Sequence, residues 1–166
     1  MPNWCNNKII IDAKPEVMQQ IQEAIITQTE DGSPTLVFSK LLPVPEGTKD
    51  EYRWQFIHYG IKCDGADIDD FDCVSDRITI ECYTPWCPPV AFFMYLTQQY
   101  DCRVWLTYEE PGMGLLGSCI IIGGEMDYCF YVNDKPGIKH IDLKDQLITN
   151  TIAVTPMDEL KSMNLE

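Results

Sequence analysis

The chain has 166 residues, 45% of them hydrophobic and 23% charged, enough for one domain whose core needs neither metal nor disulfide to form. With 26 acidic residues against 12 basic ones the net charge is −14, a field that repels phosphate and disfavours backbone-tracking nucleic-acid binding. No apolar run approaches the ~18 residues of a membrane span and the N-terminus lacks the features of a signal peptide, so a cytoplasmic workplace is expected.

The opening Met1-Pro2-Asn3-Trp4-Cys5-Asn6-Asn7 runs straight into Lys8-Ile9-Ile10-Ile11-Asp12, so residues 5–12 read as a strand. Trp4 is expected to be drawn into the fold rather than left in water. Pro15 suits the first helical position, and Glu16 sits favourably in the first turn. Val17, Ile21, Ala24 and Ile25 form the stripe of an amphipathic helix lasting to about Thr27. Glu30-Asp31-Gly32-Ser33-Pro34 stops it, and Thr35 to Ser39 is a short strand. Leu41-Leu42-Pro43-Val44-Pro45 reads as an extended connection. A helix over 49–59 presents Tyr52, Phe56 and Tyr59 on one face and ends at Gly60.

Ile68 to Cys73 and Arg77 to Tyr83 predict a hairpin whose second arm buries Ile78, Ile80 and Cys82. A helix follows Pro88 and Pro89, with Phe92, Phe93, Leu96 and Tyr100 on its apolar side. A strand over 102–108 alternates Val104, Leu106 and Tyr108 against Arg103, Trp105 and Thr107. A second hairpin turns at Gly123-Gly124 between Ser118–Ile122 and Met126–Val132. From residue 133 the chain is polar and weakly periodic, with a closing helix expected at 157–163.

Helices at this spacing between antiparallel strands predict an α+β fold of ferredoxin-like type, an antiparallel sheet packed by helices. The domain is expected over 1–132, with a helix and an acidic hairpin inserted at about 40–76. Residues 133–166 are read as a C-terminal extension.

Four segments, in order, resemble one family. The opening is similar to the Met-Pro-Asn-Trp-Cys-x-Asn start of YubB-type proteins, small ferredoxin-like proteins of phages, plasmids and prophages. Tyr59-Gly60-Ile61-Lys62-Cys63-Asp64 resembles that family's Trp-Gly-Thr-Lys-Trp-Asp, and Thr84-Pro85-Trp86-Cys87-Pro88-Pro89 its Thr-Ala-Trp-Ser-Pro-Pro. Tyr108-Glu109-Glu110-Pro111-Gly112 resembles its Tyr-x-Glu-Pro-Gly. The resemblance implies a mobile-element origin and a bacterial cytoplasmic workplace, and implies no reaction. Tyr59, Ile61, Cys63 and Cys87 depart from the family pattern, which puts any ligand contact by those groups in doubt.

The candidate ligand- or partner-binding residues are Asn3, Trp4, Asn6, Lys62, Asp64, Trp86, Glu109 and Glu110. Lys62 could meet an anionic group oriented by Asp64, or the two could close their loop as a salt bridge. Trp86, ahead of a helix start, could stack on a base or a partner side chain, or pack beneath the helix. If buried, its replacement by Ala should cost ~3–5 kcal/mol. Glu109 and Glu110 point to opposite faces of a strand and cannot share a proton. Asp67, Asp69, Asp70 and Asp72 form an acidic surface. A calcium loop starting at Asp67 fails, because Phe71 occupies the fifth position and Asp72 the sixth.

No cofactor and no metal are predicted. The eight cysteines contain no Cys-x-x-Cys pair and read as reduced thiols, with a zinc site built from scattered Cys, His58 or His140 as the alternative. No nucleophile elbow, phosphate loop or triad spacing is present, which lowers the enzyme expectation. The leading reading is a phage or mobile-element binding protein acting on a bacterial host protein through its acidic surface, in counter-defence or host modulation. The alternatives are a protein that binds or sequesters a small anionic, nucleotide-type ligand, and an enzyme acting on nucleotides.

Overall fold

The computed structural model describes residues 3–112 and 114–133, with side chains to residue 126. The extension expected from residue 133 and its closing helix lie outside the described residues. In chain order the elements are β1 (Trp4–Ala13), α1 (Pro15–Ile25), β2 (Ile26–Gln28), β3 (Pro34–Leu36), α2 (Glu51–Tyr59) and β4 (Ala66–Val74). They continue with β5 (Arg77–Pro85), α3 (Val90–Gln99), β6 (Cys102–Glu110), β7 (Leu115–Ile122) and β8 (Glu125–Asn133).

The strands form one antiparallel sheet in the order β2-β3-β4-β5-β1-β6-β7-β8. Its middle four, β4-β5-β1-β6, make a ferredoxin-like βαββαβ unit with α1 and α3. Each of those helices joins two parallel strands that flank a third, β5 in one case and β1 in the other. The β7–β8 hairpin widens the sheet beyond β6, and β2–β3 widens it beyond β4. The excursion between α1 and β4 begins well before residue 40, and the acidic strand β4 is itself part of the four-stranded unit.

Strand parity decides which residues enter the core. On β1, Cys5, Asn7, Ile9 and Ile11 are buried, whereas Trp4, Asn6, Lys8 and Ile10 lie on the opposite face of the sheet. Ile78, Ile80 and Cys82 of β5 and Val104, Leu106 and Tyr108 of β6 share the buried face, as their alternation predicts. From α1 come Met18, Ile21 and Ile25, with Val17 and Ala24 only half-buried. The helix stops two residues short of Thr27 because Ile26 already pairs with Leu36.

α2 departs from its expected face. Asp50 caps its start by accepting the Arg53 N–H, and Gly60 ends it at φ 87°. Tyr52 and Phe56 are nevertheless exposed, and only Tyr59 is buried. The helix meets the body through half-buried Trp54 and through Tyr59, whose ring joins Phe38 and Phe92 and whose hydroxyl donates to the Leu42 carbonyl at 2.6 Å. Gly60 is required there: a Cβ would lie 3.2 Å from the Pro88 carbonyl oxygen and 3.3 Å from the Val90 nitrogen.

At the far end of the sheet Asp12 accepts from Arg77 Nε at 2.6 Å and Arg103 Nη2 at 2.9 Å, linking β5, β1 and β6. Burial opposes ionisation of Asp12, but the two guanidinium hydrogen bonds outweigh it and hold the carboxyl below its usual range. Among the described residues no helix is long and apolar enough to cross a membrane.

Candidate functional site

Three separate segments meet where β1 begins. Asn7, fully buried, donates its carboxamide to the Cys5 carbonyl at 2.9 Å and to Thr84 Oγ1 at 2.8 Å. Thr84 in turn donates to the Cys87 carbonyl at 2.7 Å, so one buried carboxamide ties the opening strand to the turn before α3. The Trp86 N–H donates to the Asn3 carbonyl at 2.9 Å. Cys87 Sγ lies 3.1 Å from the Gly60 carbonyl, which brings the 60–65 loop against the same turn. The sequence marks Asn3 and Asn6 here, but the inward residue is Asn7, which strand parity alone identifies.

The thiols beneath this junction are disfavoured as thiolates. Burial is the main cause that pushes Cys5 above the ordinary range and Cys82 up to about 12, and it raises Cys63 and Cys87 as well. Among the described residues no cluster of His, Cys, Asp or Glu could hold a metal ion.

Each expected side chain can now be located. Trp4 is not drawn inside: it is 54% exposed, because its even register on β1 turns it to the open face of the sheet. Trp86 is not packed beneath α3 either. It is 48% exposed and sits at φ 71°, where a bulky residue is an outlier. Trp86→Gly should therefore leave stability unchanged or raise it by about 1–2 kcal/mol, the cost of the left-handed backbone. Chemical denaturation reads this, and a loss above about 2 kcal/mol would mean that the indole packs after all.

Asp64 is occupied by the segment that follows β3, accepting from the backbone N–H of Ser39 at 2.6 Å and from the Ser39 hydroxyl. Lys62 does not pair with it. Its ammonium lies 5.7 Å from the centre of the Phe56 ring, a cation–π arrangement on α2. Glu110 is only 1% exposed and accepts the Gly112 N–H at 2.8 Å, so its carboxylate closes the turn after β6. Glu109, on the opposite face, pairs in register with Asn6 of β1.

Beside the junction opens a groove of about 740 Å³. It is lined by Trp4, Tyr83 and Pro85 at the end of the open sheet face, by Thr35, by the run Cys63 to Asp67, and by Asp69 on the neighbouring β4. Trp4 pairs with Pro85 and Asn6 with Tyr83, so the two rings are diagonal neighbours across β1 and β5. Asp67 and Asp69 are exposed and make no ion pair or hydrogen bond among the described residues. Tyr83 was legible as a candidate: it is an aromatic on the polar side of the Thr79, Glu81, Tyr83 alternation.

Beyond the groove, β4 continues as an open edge. β3 pairs with it only at Asp67 and Ala66, which leaves residues 69–74 without an outer partner among the described residues. Asp69, Asp70 and Asp72 are exposed along this stretch. Asp70 also faces Glu81 across the β4–β5 ladder, and Glu81 itself pairs with Lys8 at 2.8 Å.

The model of the ferredoxin-like domain in Api92-like proteins matches residues 59–149, more than half of the chain. The crystal structure of a protein Api92 from Yersinia pseudotuberculosis aligns over 82% of this chain and 100% of that one, with a TM-score of 0.57. Sequence identity is 10%, so this likeness is one of fold. Comparison with curated proteins finds no match. The fold, the strand order and the family match together assign the chain to the Api92-like ferredoxin-like family.

Proposed function

We propose that this chain is a binding protein, not an enzyme, and that it engages a basic protein of the bacterial host through its acidic β4 edge. The carrying observation is the open stretch of β4, where Asp69, Asp70 and Asp72 are exposed and make no ion pair among the described residues. Left in water these charges repel one another and deter pairing with a second copy of the same edge. A basic segment relieves that repulsion and gains main-chain hydrogen bonds from the open strand. The motif resemblance to proteins of phages and plasmids supports a role inside the bacterial cytoplasm, in counter-defence or modulation of host machinery. An anionic, nucleotide-type ligand is the weaker reading, because the groove offers two carboxylates with no partner among the described residues and Lys62 lies over Phe56.

The test is capture from bacterial lysate at low salt on the immobilised full chain, beside an Asp70→Asn/Asp72→Asn variant. The parent should retain a basic protein in stoichiometric amount. The variant, or the parent at high salt, should release most of it. No stoichiometric partner, or equal retention by both proteins, would overturn the reading.

A further inference from the structure

We propose that the groove beside Trp4 is a binding site for an arginine side chain, presented by an extended segment of the basic partner. This rests on the reading above but concerns a different set of residues. The groove joins two kinds of wall that only one common side chain satisfies together. Trp4 and Tyr83 offer exposed ring faces, 54% and 44% accessible, diagonal to each other. Asp67 and Asp69, on the neighbouring strand β4, offer carboxylates free of any described partner.

A planar guanidinium stacks on an aromatic face while the N–H donors at its edge reach carboxylates. A lysine ammonium can lie over one ring, as Lys62 does over Phe56, but as a compact point charge it lacks the planar fork that stacks on a ring while its edge meets carboxylates, and an anion meets two like charges. The rest of the lining is neutral: Cys63 is held protonated, chiefly by burial, and Asp64 is committed to Ser39. At about 740 Å³ the groove exceeds one guanidinium several-fold and has room for the flanking residues of a peptide. It also opens at Asp69, where the unpaired edge of β4 begins, so a chain seated in it can continue along that strand.

The probe is a capped Gly-Arg-Gly-Arg-Gly peptide, titrated into the full chain and followed by the indole N–H resonances. Its control is the same peptide with citrulline, a neutral isostere, at both arginine positions. The arginine peptide should bind at least tenfold more tightly and should shift the Trp4 indole signal. The Trp105 signal should stay still, since that N–H is bonded to Ser118. Trp4→Ala and Asp67→Asn/Asp69→Asn should each weaken binding about three- to thirtyfold, the range expected for a desolvated cation–π contact or a lost charge-assisted bond. All three positions are exposed, so the variants should fold, and a thermal melt verifies that they do.

Equal binding of the citrulline peptide, or no saturable shift at Trp4, overturns the inference. So does a Trp4 shift that depends on protein concentration alone, which would identify a second copy as the occupant. A host protein lost on Asp70→Asn/Asp72→Asn but kept by the Trp4 and Asp67/Asp69 variants would leave the acidic edge standing and remove the groove.

Discussion

Gly65→Ala is expected to destabilise the protein by about 3–5 kcal/mol, the sum of a disfavoured backbone and an overpacked contact. Gly65 adopts φ 113°, and a Cβ built on it would sit 1.8 Å from the Leu36 carbonyl oxygen and 2.8 Å from its carbon. Both neighbours are backbone, so nothing flexible can swing away. The strand β3 must move instead, and with it the short ladder of Leu36 to Ala66 and Thr35 to Asp67. Gly32 and Gly47 provide the control. They too have positive φ, 85° and 82°, but a Cβ at either meets nothing within 4 Å. Alanine at those sites should cost only about 1–2 kcal/mol. Urea denaturation of the three variants separates the two contributions. If Gly65→Ala were no worse than Gly32→Ala, the close approach of β3 to the groove wall would not be a fixed part of the fold. Because Cys63 to Asp67 form that wall, the same substitution should also weaken the arginine peptide.

Legibility in the sequence followed the reach of each signal. β1, α1, β5 and α3 were readable because alternation, an N1 proline and a helical apolar stripe are local, and each repeats over several residues. β6 went further: the parity of Val104, Leu106 and Tyr108 already sends Glu110 inward and Glu109 outward. What stayed hidden depends on how distant segments meet. The positive φ of Trp86 has no sequence signature, since glycine or asparagine is the usual occupant of that backbone region. The exposed face of α2 misled because Tyr52, Phe56 and Tyr59 share a stripe, yet the helix rests on the body through Trp54 and Tyr59. The groove needs the register of β1 on β5 and the docking of the 63–67 loop, neither of which a linear pattern carries. Its two carboxylates were legible as residues, but their juxtaposition with Trp4 and Tyr83 was not.

Phe92→Ala should cost a further large amount, about 3–5 kcal/mol, which for a chain of this size lowers the melting temperature by about 6–20 °C. Phe92 is fully buried on α3, with ring centres 4.2 Å from Phe38, 5.4 Å from Phe93 and 6.1 Å from Tyr59. Two of those rings, Phe38 and Tyr59, belong to the excursion between α1 and β4, whereas Phe92 belongs to the ferredoxin-like unit. The cavity therefore opens at the seam between the two. The excursion holds only short strands and a helix whose single buried residue is Tyr59, and its other buried anchors, Leu36, Phe38 and Ile61, are few, with Phe38 and Tyr59 both resting on Phe92. Amide exchange in Phe92→Ala should accelerate over residues 38–65 at conditions where β1, β5 and β6 remain protected. Uniform acceleration across all of these elements would mean instead that excursion and sheet unfold as one unit. Selective loosening also carries a functional consequence, because the excursion supplies Thr35 and the Cys63–Asp64 wall of the groove. Arginine-peptide affinity should then fall at temperatures well below the melt of the sheet, linking a buried ring on α3 to a binding surface it never touches.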